Sequence, residues 1–351
     1  MSSLPRATVH LSGIAHNWRA LDRLHPGATT AAVVKANAYG LGAGPVAKAL
    51  EAAGCDTFFV AYAEEGAALR KALGAGPRIF VLNGPAARDI RLIRGNNLTV
   101  VLSSEAHVEM WRRARTLPCA LHFDTGMNRL GLNPDILDKD GDALRKLAPV
   151  LVMSHLACAD DPDSPMNAAQ LKAFDAIAAA FPDTPSSLAN SAGCYLGKAY
   201  GQDLTRPGIA LYGGSHPPAG VSLRPAVTLE AEILSVFSAQ AGSTVGYGAT
   251  HTLGADVTLA TVALGYADGI LRAGSDKLSG WIDGVECPVL GRVSMDLITL
   301  DVSKAQQAAK AGARVEFLGP HAKLEAQAAR AGTLGYELLT GLGPRVERVY
   351  Q

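Results

Sequence analysis

From about residue 30 to residue 210 the chain alternates short apolar runs with longer stretches whose apolar positions recur at helical spacing, the pattern of repeated βα units. The runs predict strands at Ala31–Val34, Thr57–Val60, Ile79–Leu82, Leu98–Leu102, Ala120–Phe123, Leu151–Ser154, Ser187–Asn190 and Asp203–Arg206. Eight such units in roughly 200 residues predict a (β/α)8 TIM-like barrel rather than an open sheet. After about Leu223 the pattern changes. Helical stretches become rare, and strands are expected at Val227–Phe237, Thr258–Ala263, Val285–Leu290 and Leu297–Val302. Gly246, Gly248, Gly265, Gly269 and Gly291 punctuate them as turns or bulges do. The expected organisation is an α/β barrel domain over residues 9–222 and a mainly β domain over 223–351, with residues 1–8 packing on the second.

Composition narrows the function classes. The 351 residues are 48% hydrophobic, ample for a large core and long for one domain. Lys+Arg and Asp+Glu both number 32, and no basic run occurs, so no electrostatic footprint for nucleic acid exists and a small-molecule partner is expected. No apolar stretch approaches bilayer-spanning length and the first residues lack a leader pattern, which predicts a soluble, cytoplasmic protein with no membrane partner. Cys55, Cys119, Cys158, Cys194 and Cys287 are scattered and without CxxC spacing, arguing against disulfides or a metal site and for small buried apolar residues.

In a βα barrel the chemistry sits at the C-terminal ends of the strands. Polar residues there are Lys35 and Tyr39 after strand one, Asp124 to Arg129 after strand five, His155 after six, Asn190 and Ser191 after seven, and Arg206 to Ile209 after eight. A lysine leaving an apolar strand is partly desolvated, which depresses its pKa as imine chemistry requires; alone, Lys35 reads more readily as a lysine snorkelling at a strand end. The loops after strands seven and eight lie where barrels often bind phosphate, so a phosphorylated cofactor fits; taken singly, Pro207-Gly208 is also a plain turn and Ser191 an N-cap.

Together these residues resemble the alanine racemase family, whose members join a (β/α)8 barrel to a C-terminal β domain and use pyridoxal 5'-phosphate. The segment Ala32-Val33-Val34-Lys35-Ala36-Asn37-Ala38-Tyr39-Gly40-Leu41-Gly42 is similar to the family's cofactor-attachment motif. The resemblance implies that Lys35 bonds the cofactor, and that Tyr39, Ser191, Gly208, Ile209 and Tyr336 hold its phosphate. It implies that Arg206 donates to the pyridine nitrogen with His155 bridging towards it, and Leu82 and Asn190 are counted among the cofactor contacts. It places a second base at Tyr247 in Val245-Gly246-Tyr247-Gly248, the substrate carboxylate at Arg129 and at Met295 of a partner subunit, and Tyr266 of Gly265-Tyr266-Ala267-Asp268-Gly269 against the site. Asp160, Arg272 and Arg292 are expected along the way in. The implied activity is interconversion of L- and D-alanine in a homodimer with shared sites, supplying D-alanine for peptidoglycan.

A racemase needs a base on each face of the planar carbanion, since one base returns the proton mostly to the face it left. Tyrosine hydroxyls titrate near ~10, so a basic phenolate needs nearby positive charge or donated hydrogen bonds, a role open to the His155–Arg206 pair. Departures from the family pattern are His122, where many members carry a carbamylated lysine that orients the substrate arginine, Glu347 for a usual proline, and Ser294 for a common cysteine. With no carbamate, Arg129 needs another support, for which Asn128, a bound anion and His122 itself are open. Three rivals keep parts of this reading: a serine or broad-specificity racemase, a decarboxylase with an acid at the pyridine nitrogen and a catalytic cysteine in the β domain, and a non-catalytic pyridoxal-phosphate-binding protein.

Overall fold

The computed structural model describes residues 4–114 and 117–351. Seven parallel strands form one sheet in chain order: Ala32–Val33, Thr57–Val60, Arg78–Val81, Thr99–Leu102, Cys119–His122, Leu151–Met153 and Ser186–Ser187. Leu204–Thr205 pairs in parallel with Thr29–Thr30, while the Asp203 and Arg206 N–H groups donate to Ser186 and Ala189 carbonyls. Thr29–Thr30 and Ala32–Val33 are one strand interrupted at Ala31, whose N–H donates to Thr205 O at 2.9 Å. The eighth strand thus bridges the seventh to the first, and the sheet closes as the expected barrel. Regular pairing is shorter than the apolar runs at strands one, seven and eight, because rim N–H groups there are satisfied by single bonds rather than a continuous ladder.

The strands Thr57–Val60, Thr99–Leu102 and Cys119–His122 are buried at every position, as parallel strands covered on both faces must be. Outer helices have local stops and starts. Gly54, at φ 115°, ends Ala43–Ala53, and the helix Ala63–Leu73 opens on Glu64 and Glu65 and closes on Arg70 and Lys71, matching the helix dipole.

The C-terminal region is organised by Val227–Ala239, whose first seven residues alternate strictly between buried and half-buried. It pairs antiparallel with Val257–Val262, Arg314–Leu318 and Arg6–Val9. Arg6–Val9 lies between it and the last strand, Glu347–Tyr350, so the start of the chain is a strand of the C-terminal sheet; residues 1–3 of the expected segment lie outside the described residues. The strands Ser279–Ile282 and Val285–Pro288 form a hairpin around Asp283 and Gly284, at φ 48° and 78°. Only the second arm was expected, although Asp-Gly is a strong hairpin signal. Two helices, Leu324–Ala331 and Gly335–Thr340, interrupt the mainly β character, and the second carries Tyr336.

One buried apolar cluster runs through both regions. At the junction the buried Asn17 amide donates to Leu211 O and Arg224 O at 3.0 and 2.9 Å and accepts from Arg224 N–H at 2.7 Å. The connection between the regions is therefore held by side-chain bonds as well as packing.

Candidate active site

A cavity of about 610 Å³ opens at the C-terminal ends of the barrel strands. Lys35, Tyr39, Leu82, His155, Asn190, Ser191, Arg206, Gly208, Ile209 and Tyr336 line it, together with His122 and Arg129. Val33, Asn83 and Met153, at or just after strand ends, and Leu130, next to Arg129 on its loop, also face it.

Lys35 opens the segment Lys35–Tyr39, in which Ala36, Asn37, Ala38 and Tyr39 have φ of 51°, 56°, 53° and 55°. Left-handed non-glycine residues cost roughly 1–2 kcal/mol each, so such a run persists only where the surroundings impose it. Its own backbone closes Ala38 N–H onto Val34 O and Gly40 N–H onto Ala36 O, both at 2.8 Å. From the barrel, the Glu65 carboxylate accepts from Ala36 N–H and Ala61 N–H, each at 2.7 Å. Sequence reasoning missed Glu65, since an acid in a first helical turn looks like ordinary dipole pairing. Desolvation, and then the positive charge of Arg129, lower the Lys35 pKa, with Glu65 pulling the other way. A larger share of the amine is thereby uncharged and nucleophilic at neutral pH.

At the other end of the cavity the Ser191 hydroxyl oxygen accepts from Gly208 N–H at 2.8 Å and Ala210 N–H at 3.2 Å, leaving its own proton to donate. A side chain at position 208 would run into the Tyr39 hydroxyl and Val33, so glycine is needed for this close approach. The Tyr39 ring packs 4.7 Å from that of Tyr212 and 6.0 Å from that of Tyr336. Burial pushes the Tyr39 hydroxyl up and that of Tyr336 to about 12, keeping both as neutral donors. This end is a set of hydroxyl and backbone donors suited to an oxyanion.

Arg206 is buried between the two ends. Its terminal nitrogens donate to the Ser187 hydroxyl and to the carbonyls of Ser154 and Leu188, while no acceptor among the described residues takes its Nε–H. Burial draws its pKa down to about 10, which leaves it charged at neutral pH. Desolvation, then Arg206 and Arg129, push His122 down to about 4 despite Asp124, and the same causes hold His155 well below its ordinary value. Both imidazoles are neutral near pH 7, so Arg129, Arg206 and any protonated Lys35 carry the positive charge at the mouth.

Arg129 stands on the loop from Asp124 to Gly131. The Asp124 carboxylate closes that loop by accepting from Gly126 and Met127 N–H groups, each at 2.8 Å. Asn128, one of the open supports for Arg129, instead donates to Gly126 O at 3.4 Å. Among the described residues Arg129 makes no ion pair or hydrogen bond, and its link to His122 is electrostatic.

Tyr247, Tyr266 and Met295 do not line this cavity. They are 72%, 43% and 53% exposed on the C-terminal region. The turns that carry the last two are joined: Tyr266 N–H donates to Ser294 O and Ala267 N–H to Met295 O, both at 3.0 Å. Asp268, 3% exposed, accepts from Gly265 N–H at 2.9 Å and pairs with Arg345 at 3.0 Å. Gly248, next to Tyr247, packs on the Arg292 guanidinium, and Arg272 sits in a short turn bonded to Ser275. Asp160 lines a second cavity of about 530 Å³ that shares Ser191, Ile209 and Tyr336 with the first. Of the cysteines, four are buried as expected and Cys158 is half-buried.

A closed βα barrel with a depressed lysine amine at its mouth, an oxyanion end and an unpaired guanidinium N–H between them has the donors that pyridoxal phosphate requires, and defines a barrel enzyme of that cofactor class. Residues 9–216 match the family described as "Alanine racemase, N-terminal domain", and 226–350 match "Alanine racemase, C-terminal domain". The chain belongs to the alanine racemase family, and is a pyridoxal-phosphate-dependent isomerase. The alanine racemase of Rhodospirillum rubrum is 48% identical, with 98% of this chain and 95% of that protein covered. A Mesorhizobium japonicum protein named "Alanine racemase, catabolic" is 44% identical over 98% of this chain and 92% of its own length. The crystal structure of alanine racemase from Bartonella henselae with covalently bound pyridoxal phosphate superposes with TM-score 0.94 at 36% identity, covering 100% of both chains. Among the described residues no helix is long and apolar enough to cross a membrane.

Proposed function

We propose that this racemase acts as a homodimer with shared sites, using Lys35 as the base on one face of the substrate and Tyr247 of the partner subunit on the other. The observation that carries this reading is the separation within one chain: Lys35 lines the cavity at the barrel mouth, while Tyr247 and Met295 lie outside that cavity, exposed on the C-terminal region. A second copy seated on the barrel mouth brings the two sets together.

Bound through Lys35, pyridoxal phosphate supplies the sink for the electron pair left when the α-proton departs. Arg129 holds the substrate carboxylate, with the backbone N–H of Met295 of the partner subunit on its far side and Tyr266 of the partner subunit against the site. Once the substrate amine has displaced it from the cofactor, Lys35 Nζ would take the proton from Cα on one face, and the Tyr247 hydroxyl of the partner subunit would deliver one to Cα from the other. The reverse reaction exchanges the two roles. Tyr39, Ser191, Gly208, Ile209 and Tyr336 anchor the phosphate, and Leu82, His155 and Asn190 shape the remaining wall. Arg206 keeps its proton, so a ring nitrogen facing its Nε–H would stay unprotonated and the sink would be modest, favouring return of the proton over side reactions.

Alanine is the substrate of this reading, and D-alanine for peptidoglycan its product in a cytoplasmic enzyme; a serine or broad-specificity racemase differs only in the pocket wall, where one methylene or hydroxyl is worth ~1–3 kcal/mol. The decarboxylase reading is opposed by Arg206 in place of an acid and by Cys287, fully buried in a strand of the C-terminal sheet. A mere cofactor carrier leaves the exposed Tyr247 and Met295 turns without use. The test is incubation of the loaded enzyme with L-alanine, and separately L-serine, in D₂O, following α-proton exchange by NMR and inversion by chiral chromatography. Exchange with D-alanine formation is expected; bound cofactor with neither exchange nor inversion of either amino acid overturns the reading.

A further inference from the structure

The left-handed turn behind Lys35 is gripped from two sides, and the second grip comes from the far end of the chain. Arg348, on the last strand Glu347–Tyr350, donates through Nε to Gly40 O at 3.1 Å, 308 residues away. Both of its terminal nitrogens are also engaged: one donates to Gly343 O and Val346 O at 2.6 and 2.7 Å, the other to Leu342 O at 2.8 Å. The guanidinium therefore ties three carbonyls of the C-terminal segment to the carbonyl that ends the Lys35 turn. A side chain at position 40 would run into the backbone carbonyl of Leu339, and Gly42 lies against the Tyr350 hydroxyl, so the last helix and last strand pack directly on this turn.

We infer that Arg348 is a positioning residue for Lys35 of its own chain, acting through Gly40 and the left-handed turn. Four consecutive left-handed residues relax if a restraint at either end is released. Glu65 restrains the start, at Ala36 N–H, and Arg348 restrains the end, at Gly40 O. Without Arg348 the turn swings and Lys35 Nζ leaves its reactive position, although Arg348 itself touches neither substrate nor cofactor. The inference deepens the shared-site reading and rests on it for the sorting test below: one C-terminal domain would serve two sites, with Tyr247 and Met295 at the partner's barrel and Arg348 at its own.

The test uses loaded Arg348→Met and Arg348→Lys enzymes. Misplacing a reacting group by about 1 Å costs up to roughly a hundredfold; kcat of Arg348→Met should fall about tenfold to a hundredfold, with KM for alanine changing far less, and the pH midpoint of the bound cofactor's visible absorbance should move. Arg348→Lys keeps the charge but cannot reach four carbonyls, so it should fall between Met and the parent and covers the case in which the Met variant does not fold. A lower melting temperature with kcat and absorbance midpoint unchanged would show a merely structural residue and overturn the inference. In mixed dimers, Arg348→Met with Tyr247→Phe should regain one intact site, whereas Arg348→Met with Lys35→Ala should gain none; recovery in the second pairing overturns the inference. The pairing of Lys35→Ala with Tyr247→Phe is the control. If that control fails to recover, the shared-site reading falls, and kcat and the absorbance midpoint still decide the role of Arg348.

Discussion

In the proposed mechanism the barrel mouth and the exposed turns of the C-terminal domain would carry the two halves of the chemistry, and they are built differently. At the mouth the buried groups are braced by their own chain: Arg206 is bonded on both terminal nitrogens and Ser191 gathers two backbone N–H groups, while Lys35, Arg129 and Tyr336 reach from them into the open cavity. On the other face Tyr247 is 72% exposed and Met295 53%. The first half is preorganised by its own chain, as binding of a large cofactor requires; in the second, the Tyr266 and Met295 turns are joined by backbone bonds and by Arg345, which pairs with both Asp268 and Asp296. An uncovered half-site of this kind is what the proposed partner subunit would complete.

The comparison breaks most sharply at Lys35. Lys35→Ala should lose both the visible absorbance of the bound cofactor and all racemisation, checked by spectroscopy and proton exchange; retained activity would sink the assignment. Tyr247→Phe tests the exposed half: cofactor should still bind, while α-proton exchange on L-alanine falls by roughly 10²–10⁴, the usual worth of a positioned base, and exchange on D-alanine falls far less. Equal losses on both enantiomers would contradict the two-base split. Mixing Lys35→Ala with Tyr247→Phe subunits should restore one site per mixed dimer, and confirmed mixed dimers without activity would show that the halves do not meet.

The smallest expected effect is on stability. His122 sits near 4 in the folded protein against an ordinary 6.5, so between those values the unfolded chain binds a proton that the folded chain does not. Stability therefore falls as pH drops through that window. His122→Asn, which cannot take the proton, should flatten this acid limb, seen as a smaller change in unfolding midpoint between pH 6.5 and pH 4.5. An unchanged slope would mean that His122 is accessible to protons in the native mouth.

The barrel was legible because its signals are local. An apolar run followed by a polar residue marks a strand end, and Lys35, His155, Ser191 and Arg206 all stand at such ends and all line the cavity. Ser279–Ile282 was missed although its Asp-Gly turn was visible, because the strand contains Ser and Gly and breaks the apolar pattern. Glu65 was missed for a different reason: its helix position is ordinary, and only the fold places its carboxylate on the backbone beside Lys35.

By itself the sequence determined the alternation of strand and helix, the change to strands after Leu223, and the residue types at the strand ends, since each depends on neighbours a few positions apart. The tertiary structure decided what joins distant positions: Arg6–Val9 between two C-terminal strands, the left-handed turn, the bonding of Arg206, and the contact between Gly40 and Arg348. Periodicity records which face of an element is buried. It carries no information about which distant carbonyl a guanidinium will find, and that is settled only when the closed barrel and the C-terminal sheet pack together.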